Sequence, residues 1–102
     1  MKKFILIPIF GAVVLLASAQ TKPKDGFVPD ADTAIKIAVA VWTPIYGTNT
    51  LANEKPYRAR LLTNNVWKVE GSFTRDPNVV GGVMTALIAK EDGRILEVYH
   101  TK

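Results

Sequence analysis

Nucleophilic catalysis needs a nucleophile beside a base, and this chain offers little to build one. Past residue 19 it has a single serine, Ser72, and its one histidine is His100; cysteine is absent throughout. The strand faces derived below set Ser72 and His100 on opposite sides of a sheet, so a serine–histidine couple is not expected. One histidine without cysteines leaves only scattered carboxylates for a metal, so neither metal nor other cofactor is expected. His100 reads instead as a partly buried residue at a sheet end. Two carboxylate pairs remain, Asp30 with Asp32 and Glu91 with Asp92. The first precedes an apolar helical repeat and reads as capping; the second precedes Gly93 and reads as turn chemistry. Neither lies in apolar surroundings of the kind that raise a carboxyl pKa for general acid work. Gly81-Gly82 lacks the Lys-Ser/Thr of a phosphate loop. The expectation is a protein that binds, not an enzyme.

The 102 residues allow one domain behind an N-terminal targeting segment. Lys2 and Lys3 form a positive start, Phe4 to Leu16 an apolar run, and Ala17-Ser18-Ala19 a small-residue cleavage site. The apolar run falls short of the roughly 20 residues that span a bilayer. The expected divisions are a signal peptide over 1–19, a flexible lead-in over 20–28 and a single domain over 29–102. Cleavage between Ala19 and Gln20 predicts a soluble protein of the periplasm or the medium, with no stable membrane anchor. Without disulfides, packing alone must hold it. The formal charge of +4 falls to +2 once Lys2 and Lys3 are gone, with eleven basic residues against nine acidic. That balance, with no basic run interleaved with aromatics, excludes nucleic acid as the expected partner.

The segment that must position everything else is Pro29 to Gly47, PDADTAIKIAVAVWTPIYG. Asp30 is placed to cap and Asp32 to complement the helix dipole. Ile35, Ala38, Trp42 and Ile45 recur at helical spacing, flanked by Ala34 and Val41. Pro44 predicts a kink or stop near Thr43, and Gly47 closes the segment. Phe27 or Val28 can staple the helix start. Thr48 to Pro56 is polar and reads as a connecting loop.

Two hairpins follow. With Thr63-Asn64-Asn65 as a three-residue loop, Leu61 faces Trp67 and Ala59 faces Val69, while Arg58 with Glu70 and Arg60 with Lys68 fall on the other side. A two-residue loop mixes charge with core, so the three-residue loop is expected, with Asn65 left-handed. Glu91-Asp92-Gly93 likewise pairs Ile88 with Leu96, Ala86 with Val98 and Met84 with His100 on the inner face. Ala89 with Ile95, Leu87 with Glu97 and Thr85 with Tyr99 then lie outside. The fold class is α+β: one helix on a four-stranded antiparallel meander.

Three stretches carry a family likeness: DADTAIKIAVAVWTPIYG, KPYRARLLTNNVWKVEGSF and GGVMTALIAKEDGRILEVYHTK. Their most specific elements are P-I-Y-G after the helix, W-x-V-x-G from Trp67 to Gly71, Gly81-Gly82, and D-G-x-I-L-x-V-x-H from Asp92 to His100. Over Val28 to Lys102 the chain resembles the bacterial immunity proteins of polymorphic toxin systems, which have a nuclear transport factor 2-like fold. It departs at the tail, with His100-Thr101-Lys102 where the family often has H-G-K. The resemblance implies a cystatin-like helix-on-sheet fold in a shallow version, a cognate toxin as partner, and no catalysis. It carries over no contact residues.

Those come from surface reasoning. Arg58, Arg60, Lys68, Leu87, Ile95 and Tyr99 share the expected outer face, and arginine and tyrosine beside aliphatics suit a protein interface. Exposed Leu87 and Ile95 point to a protein partner or to a second copy of the chain. Arg75 and Asn78 lie on the Thr74 to Gly82 connection, which in a peptidase-inhibitor-like alternative is a wedge. A small-molecule or peptide module is the other alternative, with a candidate pocket at Trp42, Tyr46 and Trp67.

Overall fold

A computed structural model describes residues 21–73 and 81–101. The expected signal peptide with its Ala19–Gln20 cleavage site, and most of the wedge with Arg75 and Asn78, lie outside the described residues. The elements run α1 (Ala31–Tyr46), α2 (Thr48–Asn53), β1 (Arg58–Leu61), β2 (Val66–Glu70), β3 (Met84–Ala89) and β4 (Ile95–His100). The strands form one antiparallel sheet in the order β1-β2-β3-β4.

Helix α1 starts as its sequence dictates. Extended Asp30 accepts hydrogen bonds at Oδ1 from the Thr33 amide, 2.8 Å, and the Thr33 hydroxyl, 2.6 Å. These bonds, the hydroxyl's first, hold the Asp30 carboxyl below its usual range. The helix does not stop at Thr43. It runs three residues further, and the Gly47 amide closes it on the Thr43 carbonyl at 3.0 Å, with φ +86° at Gly47. Ala40 and Pro44 both face solvent, so water can satisfy the Ala40 carbonyl that Pro44 cannot reach. The buried stripe is Ala34, Ala38 and Trp42, a four-residue repeat whose two alanines allow close approach to the sheet. Ile45, expected in that stripe, is 56% exposed.

One further expectation is corrected beside the helix. The expected loop after Gly47 contains α2, whose one buried residue is Leu51. A single large apolar side chain in six residues gives no period to read. The lead-in is pinned at its end: the Phe27 and Val28 amides donate to the Glu91 and Lys90 carbonyls at 2.9 and 3.0 Å. Val28 is fully buried, and its carbonyl accepts the Trp67 indole N–H at 2.8 Å.

The first hairpin has the expected register, Leu61 opposite Trp67 through Arg58 opposite Glu70, with Asn65 at φ +60°. The last hairpin keeps Met84–His100, Thr85–Tyr99, Ala86–Val98 and Leu87–Glu97, then shifts, so that Ile88 faces Ile95. The expected Ile88–Leu96 and Ala89–Ile95 pairs are therefore wrong. The Lys90 amide bonds the Asn65 carbonyl instead of joining β4, and Ala89 receives the turn through Arg94 O and Gly93 N, both at 2.9 Å. The connection is thus one residue longer, and the irregularity beside Leu87 and Ile88 leaves Leu96 unpaired in the register.

Helix α1 lies across β1, β2 and β3 without reaching β4. Between helix and sheet, Trp42, Val69, Met84, Ala86 and Ile88 are wholly buried, with Val28 closing one end.

Candidate partner interface

The two sheet faces divide their chemistry. On the outer face Arg58 and Arg60 are exposed, and Lys68 is half-buried beside Glu70 at 4.0 Å. Leu87 and Tyr99 are half-buried in the same face. These five expected contact residues are gathered together. Ile95 is not among them, because the shifted register sets it opposite inward-facing Ile88. It is 41% exposed there, where α1 does not reach.

Thr85 lies in the outer row, between Glu70 and Tyr99, yet is wholly buried. Its hydroxyl has no hydrogen-bond partner among the described residues.

The three candidate pocket residues lie in or against the packed core. Trp42 and Trp67 fill the core, with the Trp42 indole N–H 3.5 Å from the Thr85 carbonyl and its ring edge-on to Tyr57. Tyr46 packs against the margin of that core, its ring 5.6 Å from that of His100. A cavity of ≈ 270 Å³ lies instead at the turn end of the sheet, lined by Lys22, Lys24, Asp25, Asn65, Lys90 and Glu91 among others. The Lys22–Glu91 ion pair at 2.5 Å and the Lys90 ammonium on the Asp25 carbonyl tie its walls together. This polar lining suits water.

One further cluster joins residues far apart in the sequence. Glu54, just past α2, is 5% exposed and joins four parts of the chain. Its Oε1 accepts the Met84 amide at 2.7 Å, its Oε2 lies 2.9 Å from His100 Nε2, and its carbonyl accepts the Ser72 amide at 2.7 Å. Gly71 makes room, since a Cβ there would stand 2.5 Å from Glu54 Oε1. That glycine closes the W-x-V-x-G motif, and His100 closes the D-G-x-I-L-x-V-x-H motif, so two sequence motifs end at the site. Burial, with Glu54 adding to it, also pushes the nearby Tyr57 phenol up.

This carboxylate–imidazole contact is not arranged for catalysis. His100 Nδ1 lies 2.7 Å from the Thr101 carbonyl, so both ring nitrogens are engaged. The Ser72 hydroxyl donates to the Pro56 carbonyl at 2.6 Å, away from the imidazole. The cluster holds the C-terminal strand to the α2–β1 junction. Among the described residues, no three metal-binding side chains come together.

The Escherichia coli K12 protein "Uncharacterized protein YhhH" is 44% identical over 57 residues, an alignment covering 56% of this chain and 43% of that protein. The chain therefore spans less than half the length of that relative. No solved structure matches this chain. Over residues 33–102, covering α1 from its first turn and the whole sheet, the sequence matches the NTF2 fold immunity proteins, and the chain belongs to that family.

Proposed function

We propose that the chain is a non-catalytic immunity protein that binds and neutralises a cognate protein toxin. Membership of the NTF2 fold immunity family carries the reading. The architecture supports it physically. A packed helix–sheet interior keeps the sheet rigid, so its outer face can dock without the cost of ordering loops on binding. Filled space around Trp42 and Trp67 weighs against the small-molecule alternative.

Its site of action is the periplasm or the medium, supported by the Lys2-Lys3 start, the apolar run and Ala17-Ser18-Ala19. The test is to search the neighbouring genes for a toxin domain and to co-express it with this chain. Cells making both should survive where cells making the toxin alone die, and the purified pair should elute as one complex. Death in both cases, or protection without a complex, contradicts direct neutralisation. Protein recovered from the periplasm should begin at Gln20; an intact Met1 there contradicts export by cleavage.

A further inference from the structure

The two edges of the sheet are not equivalent. The Leu62 amide donates to the Val66 carbonyl at 2.8 Å, which fixes the alternation along the hairpin. Arg58 and Arg60 therefore turn their backbone groups towards β2, while Ala59 and Leu61 turn theirs to the open edge. Side chains alternate in step. Those of Ala59 and Leu61 lie on the helix side, where Leu61 is still 41% exposed, and those of Arg58 and Arg60 lie on the outer side. Ion pairs among the described residues use Lys22, Lys36, Lys68, Arg94 and His100, and none uses Arg58 or Arg60.

We infer that the β1 edge receives an extended strand of the partner in which acidic and apolar residues alternate. This rests on the toxin-binding reading and names the chemistry that the partner must present. Backbone groups of Ala59 and Leu61 would supply hydrogen bonds to the added strand. Its acidic side chains fall beside Arg58 and Arg60, and its apolar ones beside Leu61 and Ala59 under the flank of α1. A second copy of β1 does not fit, because antiparallel pairing about Ala59 sets Arg58 against Arg60 of the other chain. The opposite edge is a poor substitute: β4 has a register irregularity and carries Glu97 on its outer side, which repels an acidic strand.

The probe is a short synthetic peptide alternating Glu and Val, with a Lys–Val peptide as control, added to the purified protein. Hydrogen exchange at the Ala59 and Leu61 amides should slow by about tenfold or more in the complex. Binding should weaken with salt and disappear in the double variant Arg58→Glu, Arg60→Glu. The Lys–Val peptide should bind only that variant. Absence of binding, protection at the Val98 or His100 amides instead, or equal binding of both peptides to wild type overturns the inference. Toxin binding separates the two levels. If the double variant still binds toxin, the edge is wrong and the immunity reading stands. If folded wild type binds no toxin, the immunity reading fails, while the peptide result still judges the edge.

Discussion

The helix-side face of the sheet and its outer face differ in how far their polar groups are satisfied. On the helix side, indole N–H groups reach carbonyls and the Glu54 carboxylate holds a strand amide and an imidazole. On the outer side, two arginines stand exposed without a described partner and a buried threonine hydroxyl stands alone. The first pattern specifies a single packing; in the second, the two exposed arginines are open to another molecule. Stability and binding should therefore separate by face.

The largest effect should come from the helix side. Trp42→Ala empties the centre of the core and should cost about 3–5 kcal/mol, read as a lowered denaturation midpoint. A loss under about 1 kcal/mol would mean that the interior is not packed as described. Next come Glu54→Ala and Gly71→Ala, each of which strips or displaces the carboxylate from the Met84 amide. Either should cost about 1–3 kcal/mol. Combined, they should cost little more than the larger alone, because they break the same contact. Full additivity would show that Gly71 serves another purpose.

Smaller effects sharpen the contrast. On the outer face, Thr85→Val removes an unpartnered hydroxyl and should leave stability unchanged or raise it by up to about 1 kcal/mol. A clear loss would reveal a partner for that hydroxyl. Acid should also be felt, weakly. Thr33 lowers the Asp30 carboxyl, and the Arg94 amide, then its side chain, lower that of Asp92. Groups lowered on folding stabilise above the unfolded value of 3.8 and lose that contribution as pH falls below it, through the folded values. Asp30→Asn should flatten this part of the stability–pH curve; an unchanged slope would assign the acid sensitivity elsewhere.

How legible the fold was depended on the range of the forces involved. The α1 cap, Gly47, the β1–β2 register and the left-handed Asn65 are local choices, set within a few residues by side-chain alternation and turn geometry. Helix α2 escaped because Leu51 alone anchors it. The β3–β4 shift escaped because Lys90 chooses the Asn65 carbonyl, a contact made across the sheet. Glu54 and His100 are 46 residues apart, so no spacing motif joins them. For the interface, Arg58, Arg60, Lys68, Leu87 and Tyr99 could be grouped from period-two alternation. Ile95 could not be, since one residue of slip reverses its face.

The central claim is tested by calorimetric titration of the toxin domain identified by co-expression into wild type and into the Arg58→Glu, Arg60→Glu variant, with a thermal melt of each. Wild type should form a complex, the variant should lose it, and the two melts should agree within what about 0.5 kcal/mol produces. Undiminished toxin binding by a normally folded variant would contradict that claim.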